Sequence, residues 1–156
     1  MLRPARHLGK AASTALQRMP ACTCIQRRQS VLTHYSPQEP DRFPPLSLAV
    51  RVGDLLFVSG MGPFDEQWQI AKDDFPAQMR AVLAWLDRAL REAGTDRRRI
   101  VKTNVLLTRE QDIAEMNRLY AEWIGAPPYP ARTTAVVKAL PVPDFLLEIE
   151  CVAAVG

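Results

Sequence analysis

The chain has 156 residues, 47% of them apolar and 24% charged, which is enough for one domain with a hydrophobic core and ordinary for a globular protein. It contains no run of ~18 apolar residues, so no membrane partner is expected. Six of the 20 basic residues lie in 1–30, a segment without acids. The rest carries 14 basic and 17 acidic residues, and this mild negative charge disfavours a nucleic-acid partner.

The basic segment 1–30 has the composition of an organelle transit peptide, because it is rich in arginine and free of acids. A basic tail or extension fits the same composition, and both interpretations stay open. We divide the chain into a basic N-terminal extension over 1–40 and one domain over 41–156. A cytoplasmic location is expected, with an organelle such as the mitochondrion as the alternative.

The cysteines and histidines favour no metal site. The three cysteines are Cys22, Cys24 and Cys151, an odd number, and the first two are too close for the Cys-x-x-Cys pattern. The two histidines, His7 and His34, lie before the predicted core. We therefore expect no zinc, no disulfide framework and no histidine base.

Apolar runs in the domain predict five strands, over 48–52, 55–59, 100–107, 132–139 and 146–155. The first two are joined by Gly53-Asp54, which is a hairpin signal. The proline-rich stretch over 31–46 is expected to be an extended lead-in to the ordered domain.

Apolar residues at helical spacing predict two helices. The first covers 75–93, with Asp73 or Asp74 as its N-cap. The second is capped by Thr108 and ends at Gly125. The order β-β-α-β-α-β-β predicts an α+β domain in which both helices cover one face of a single sheet. The other face is expected to be covered in an oligomer, because a wide apolar surface does not stay exposed.

Arg132 opens the fourth predicted strand. On the strand period of two, Arg132 and Thr134 share one face, while Thr133 and Ala135 lie on the other face, which is wholly small or apolar. The small face should meet the helices, so Arg132 is predicted to point to the outer face. It is either a plain surface arginine or a planar clamp for a carboxylate.

Glu148 and Glu150 alternate with Leu147, Ile149 and Cys151 in the last predicted strand. The three apolar residues are expected in the core, and the acids on the outer face. Both acids fit exposed edge charges. If another subunit covers that face, a buried acid with a raised pKa would suit proton transfer.

Ser59-Gly60 ends a strand at a glycine-rich turn whose backbone amides are able to hold an oxyanion or a carboxylate. Ser59 has no histidine base, so a serine-hydrolase role is weak. Asn117 lies within the apolar stripe of the second helix, where it either supports a neighbouring loop or takes part in catalysis. Tyr120 is expected to be a core or interface aromatic.

Five segments carry a resemblance to a known family, in the order 52–60 (VGDLLFVSG), 101–103 (VKT), 116–120 (MNRLY), 130–132 (PAR) and 147–150 (LEIE). From about residue 45 to 155 the chain resembles the RidA/YjgF family of enamine and imine deaminases. The resemblance implies a chorismate-mutase-like mixed sheet with two helices on one face. It also implies a homotrimer with sites in the clefts between subunits.

The resemblance further implies roles for individual residues. Arg132 matches the arginine that grips the substrate carboxylate, and Glu148 matches the acid that positions or activates the attacking water. Ser59, Gly60 and Asn117 match residues that line the cleft. The implied reaction converts 2-imino or 2-enamine acids to 2-keto acids and ammonia, and it needs no metal or cofactor.

Three predicted substrate-contacting positions depart from the family pattern. Leu46 stands where the best-studied deaminases have a tyrosine, Met61 replaces a glutamine, and Thr134 replaces a frequent cysteine. Arginine and acid are kept while the pocket wall changes, so a bulkier or more apolar imino acid is a candidate substrate.

Two hypotheses follow. The first is a homotrimeric imine and enamine hydrolase that uses Arg132 and Glu148. The second is a non-catalytic trimer that binds small carboxylates or protein partners in the same cleft. RNA cleavage, an activity sometimes ascribed to relatives, is disfavoured by the acidic domain.

Overall fold

The computed structural model describes residues 31–37 and 40–156, so the basic segment 1–30 lies outside the described residues. The strands are β1 (Leu32–Tyr35), β2 (Ala49–Val52), β3 (Leu55–Met61), β4 (Ile100–Leu107), β5 (Ala131–Val136) and β6 (Leu147–Ala154). The helices are α1 (Phe75–Glu92) and α2 (Ile113–Ile124). In this part of the chain no helix has the length and apolarity of a membrane span.

All six strands form one mixed sheet in the order β1-β2-β3-β6-β4-β5. Neighbouring strands run antiparallel except for β4 and β5, which are parallel. Parallel neighbours need a crossover connection, and α2 lies in the segment that connects β4 to β5. The predicted α+β class and the hairpin at Gly53 are confirmed.

Strand β1 was not predicted from the sequence, and it lies before the domain boundary expected at residue 41. It is a four-residue edge strand whose first three residues are exposed, so its sequence lacks the apolar run that marks a buried strand. The sheet holds it through pairing with β2, where Tyr35 lies opposite Ala49.

One of the two predicted helix N-caps is confirmed, and the other is wrong. Asp74 caps α1, because its Oδ1 accepts a hydrogen bond from the Ala77 amide at 2.9 Å. Thr108 does not cap α2, which begins only at Ile113 after a short 3₁₀ turn. The Thr108 hydroxyl instead donates to the Phe145 carbonyl at 3.2 Å, so it ties the end of β4 to the turn before β6.

The core lies between the sheet and the helices, and β6 is its central strand. Leu147, Ile149, Cys151 and Ala153 all face the helices and are at most 3% exposed, as the period-two pattern predicts. Each fully buried large side chain of this kind contributes about 1.5–3 kcal/mol. The opposite side of β6 carries Glu148 and Glu150 on the face that the helices leave open, which confirms the predicted placement of both acids.

Gln78 is a fully buried polar residue of α1 that connects three segments of backbone. Its amide nitrogen donates to the carbonyls of Ala71 and Asp144, each at 2.9 Å. Its amide oxygen accepts from the Leu146 amide, also at 2.9 Å. Gln78 therefore fixes the turn that leads into β6. It thereby fixes the position at which Glu148 lies along the strand.

We expect Gln78→Leu to lower the free energy of unfolding by about 1–3 kcal/mol, because it leaves the buried Leu146 amide without a partner and removes the hydrogen bonds to the Ala71 and Asp144 carbonyls. Urea denaturation at fixed protein concentration measures this loss. Gln111→Leu is the matched control, since Gln111 is exposed and such surface changes alter stability by less than about 0.5 kcal/mol. Equal losses in both variants would contradict the role given to Gln78.

Candidate functional site

Arg132 faces the helices, so the prediction that it points to the outer face is wrong. In the parallel pair, Arg132 lies opposite Thr103 and Thr134 opposite Val105. Thr103 and Val105 are fully buried beneath the helices. On the open face, the Lys102 ammonium donates to the Thr133 hydroxyl. The sequence argument failed because β5 is an edge strand, whose small residues were mistaken for a core face.

Helix α2 holds the guanidinium of Arg132 in a fixed position. Its Nη2 donates to the Asn117 Oδ1 at 2.5 Å, and its Nη1 lies 3.7 Å from the Met116 sulfur. Its central carbon lies 4.8 Å from the ring centroid of Tyr120, within the range of a cation–π interaction. We call Arg132, Met116, Asn117 and Tyr120 the arginine cluster.

No carboxylate in the described part of the chain pairs with Arg132. The guanidinium has five N–H donors, and Asn117 and Met116 engage only two of them. The remaining donors form a planar fork that suits a bidentate carboxylate. The geometry therefore favours a carboxylate clamp over a plain surface arginine.

Two members of the arginine cluster were missed as site residues from the sequence. Met116 and Tyr120 are buried, and Tyr120 shares a hydrogen bond of 3.1 Å with the Thr103 hydroxyl. Burial raises the pKa of the Tyr120 phenol, with the Thr103 hydrogen bond and the charge of Arg132 acting against it. The helical spacing of Met116, Asn117 and Tyr120 was the available signal, since it places them on one side of α2. Asn117 itself is exposed rather than buried.

Thr134 lies on the same face of β5 as Arg132, two residues further along. Its hydroxyl oxygen is buried and has no hydrogen-bond partner within residues 31–37 and 40–156. A buried polar atom without a partner is costly. Because this oxygen is shielded from solvent, a ligand at Arg132 of a single chain does not reach it.

The Glu148 carboxylate lies on the open face, directly against Gly60. A Cβ atom on residue 60 would overlap Glu148 Oε1, so a side chain there would displace the carboxylate from this position. The neighbouring Ser59 hydroxyl donates to the Ser47 carbonyl at 2.7 Å. Leu46 precedes Ser47 and is 40% exposed. We call Glu148, Gly60, Ser59 and Leu46 the acid cluster.

The environment of Glu148 differs from that of Glu150. Glu148 is half-buried and makes no hydrogen bond or ion pair in the described chain. Burial raises its pKa, and the negative charge of Glu150 raises it further. Glu150 is exposed and accepts a hydrogen bond from the Asn104 amide at 2.5 Å. These surroundings suit Glu148, rather than Glu150, for transferring a proton near neutral pH.

Two other residues lie on the helix side of the sheet, away from the open face that carries Glu148. Met61, predicted to contact the substrate, is 6% exposed and pairs with Ile149 inside the core. It is therefore not available to a ligand at the acid cluster of the same chain. Cys151 is a buried free thiol. Burial, together with the charge of Glu150, raises its pKa to about 12, so it is not a nucleophile at neutral pH.

The arginine cluster and the acid cluster lie on opposite faces of the sheet. β4 separates β5 from β6, so the two strands are two spacings of about 4.8 Å apart. Arg132 and Glu148 therefore do not face a common cleft within one chain. A second copy of the chain has to supply one cluster if both act on the same ligand.

The fold and the clusters define a small α+β domain with a guanidinium fork at one sheet edge and a half-buried acid on the open face. The family model described as Endoribonuclease L-PSP matches residues 36–155. The chain belongs to this family, which is also named RidA/YjgF/YER057c/UK114.

Three similar proteins support this assignment. RutC family protein y4sK of Sinorhizobium fredii is 43% identical over 72% of this chain and 89% of its own length. Reactive Intermediate Deaminase A, chloroplastic, of Arabidopsis thaliana is 34% identical over 73% of this chain and 60% of its own length. The crystal structure of RidA from Psychrobacter sp. PAMC 21119 is 33% identical, with a TM-score of 0.67, covering 72% of this chain and 89% of that one. The family thus includes reactive intermediate deaminases.

We expect the Glu150→Gln change to lower the pKa of Glu148, because it removes the neighbouring negative charge and leaves the burial unchanged. Carboxyl ¹³C NMR titration of the wild type and the variant measures the difference. Glu122→Gln, an exposed acid on α2, is the control and should leave the pKa of Glu148 where it was. A Glu148 that titrates at the ordinary value of 4.5 in the wild type would contradict the burial argument.

Proposed function

We propose that the protein hydrolyses 2-imino and 2-enamine carboxylic acids to 2-keto acids and ammonia, at a site shared between two copies of the chain. The observation that carries the proposal is the guanidinium of Arg132, which α2 holds in place and which no carboxylate in the described chain neutralises. A small carboxylate is the ligand that this fork fits.

Arg132 has the role of gripping the substrate carboxylate, and Thr134 lies beside it on the same face of β5 as part of the wall of the site. The rigid contacts with Asn117 and Tyr120 hold the fork before substrate arrives, so little ordering is left for the binding step. The imine carbon next to the bound carboxylate is thereby held in one position at the sheet edge. This position favours attack by a positioned water.

Glu148 of the second copy has the role of positioning the water and accepting its proton. The water oxygen bonds to the imine carbon, the C=N double bond becomes single, and the nitrogen takes up a proton. The nitrogen of this carbinolamine then takes up a second proton, and the C–N bond breaks so that ammonia leaves with the electron pair of that bond. Loss of the hydroxyl proton to the Glu148 carboxylate forms the keto group. An enamine first tautomerises to the imine. Water supplies the oxygen, and the reaction is redox-neutral, so no cofactor or metal is required.

A homotrimer is proposed because the open sheet face is apolar and needs a cover. Val50 and Val152 flank Phe57 across three adjacent strands, and Phe57 is 46% exposed. The row borders a cleft of about 270 Å³ that Glu150 and Asn104 also line. A cyclic trimer has heterologous interfaces, in which each copy presents two different surfaces. Such an interface places the arginine cluster of one copy beside the acid cluster of the next.

A cytoplasmic location is proposed, with an organelle as the alternative. The basic, acid-free composition of 1–30 and the chloroplastic name of the Arabidopsis relative support the alternative.

We expect Arg132→Ala to lower the hydrolysis of freshly generated 2-iminobutanoate by about 100-fold or more, because the carboxylate loses its bidentate partner. The release of 2-ketobutanoate, followed at pH 7, measures the rate. Light scattering should show an unchanged trimer. Arg98→Ala removes an exposed arginine elsewhere and should keep full activity. Unchanged turnover in Arg132→Ala would refute the proposal, and a wild type that binds 2-keto acids without turnover would support a carboxylate-binding role instead.

Mixing two inactive variants tests whether the site is shared between copies. Arg132→Ala and Glu148→Gln subunits, co-expressed and assembled at random, should recover about a quarter of wild-type activity. Three of four such trimers are mixed, and each mixed trimer regains about one site in three. Each variant expressed alone stays inactive. A mixture that remains as inactive as its components would show that both residues act within one chain.

A further inference from the structure

A cleft of about 690 Å³ lies beside α1, outside the proposed active site. Its walls are aromatic, formed by Phe43, Phe64, Trp68 and Trp85, and small alanines of α1 line it as well. We call this surface the aromatic groove. It lies on the helix side of the sheet, whereas the acid cluster lies on the open face.

The aromatic groove is built around Trp68, whose backbone lies in the left-handed region with a φ of 60°. That conformation is uncommon for a bulky residue. The Asp65 side chain fixes the turn, because its Oδ1 accepts from the Gln67 and Gln69 amides at 2.9 and 2.8 Å. The same turn places the Trp68 ring 5.7 Å from the Trp85 ring.

The other aromatic contacts hold these rings as a wall. The ring of Trp68 also lies 5.2 Å from Phe43 and 5.5 Å from Phe64. The indole N–H of Trp85 donates to the Phe64 carbonyl at 2.7 Å. The Trp85 ring is therefore oriented by its polar end as well as by packing. A planar apolar ring is a ligand that aromatic walls accept.

Two of the arginines that line the aromatic groove have guanidinium groups without a partner in the described chain. Six charged residues line it, and three of them are engaged: Asp65 with the turn amides, and Arg88 with Glu92 at 2.9 Å. The other three are Arg80, Arg91 and Glu66. Neither guanidinium makes a hydrogen bond or ion pair in the described chain, although Arg80 is close enough to lower the pKa of Glu115. The six lining charges balance, but each of the two unpaired guanidiniums offers a planar fork to a carboxylate.

We propose that the aromatic groove binds a small planar aromatic carboxylate. The ring packs among Trp68, Trp85 and the alanines of α1, and the carboxylate pairs with a guanidinium at one end of the groove. Arg80 and Arg91 are 11 residues apart on α1, a separation of about 16 Å along the helix axis. The anion therefore contacts one of them, and the single variants decide which.

Naphthalene-1-acetate is the probe, and naphthalene-1-acetamide is its neutral counterpart. Titration calorimetry should give saturable binding of the acid at one site per chain, with quenching of tryptophan fluorescence from Trp68 and Trp85. The amide should bind about tenfold more weakly, because it lacks the charge that a guanidinium recognises. Equal affinities of acid and amide, or no saturable binding, would overturn the proposal.

Variants then locate the site. Arg80→Gln with Arg91→Gln should weaken binding of the acid about tenfold. Arg98→Gln with Lys138→Gln removes the same charge from exposed positions elsewhere and should leave binding intact. Trp68→Gly suits the positive φ, so the fold is expected to persist in thermal unfolding while binding is lost. A Trp68→Gly variant that folds and still binds would overturn the proposal.

Arg132→Gln separates this site from the proposed active site. The variant should keep full binding of naphthalene-1-acetate, whereas loss of binding only in Arg132→Gln would place the acid at the arginine cluster and overturn the proposal. Failure of imine hydrolysis in the wild type, with binding at the aromatic groove preserved, would affect the proposed function alone.

Discussion

The alternation of side chains along β6 is the constraint on which the structure depends. β6 lies between β3 and β4 and pairs with both, so its position determines how the neighbouring strands are aligned. Its inward residues complete the core under the helices, and the same period-two geometry sends Glu148 and Glu150 to the open face. Gln78 fixes where β6 begins, because it hydrogen-bonds the backbone on both sides of Phe145. The position of the acid therefore follows from the packing of the core.

The two charged clusters obtain their properties from opposite environments. The arginine cluster is preorganised, since Asn117 and Tyr120 hold the guanidinium while leaving N–H donors free. The acid cluster is poised by desolvation, because Glu148 is half-buried against Gly60 without a hydrogen-bond donor in the described chain. A cation ready for a carboxylate and an acid with a raised pKa are complementary. The sheet separates the two clusters within one chain. The proposed oligomer therefore brings the two clusters together, and it also covers the apolar surface.

The two faces of the sheet carry two further surface features. The open face carries the apolar row centred on Phe57, which fits burial against another copy. The helix side carries the aromatic groove, whose aromatic rings are held in place by a turn that forces Trp68 into a left-handed conformation. Aromatic side chains in this groove are oriented by hydrogen bonds and ring contacts within the chain, so the groove exists before any ligand binds.

The sequence by itself determined the elements whose patterns are local. Apolar spacing located both helices and the hairpin, Asp74 was one of the two caps it offered for α1, and the alternation of β6 separated its core residues from its acids. The family motifs identified Arg132 and Glu148 as the residues to examine. These signals are readable because each depends on neighbours within a few positions.

Only the tertiary structure decided which face Arg132 occupies. In an edge strand both faces are partly exposed, so small residues such as Thr133 and Ala135 do not mark the core, and the parallel register with Thr103 settles the matter. Pairing with β2 likewise revealed β1, whose sequence has no buried run. The support of Arg132 by Met116 and Tyr120, and the closeness of Glu148 to Gly60, join residues far apart in the chain. Such contacts depend on how the helices and strands pack, which local patterns do not specify.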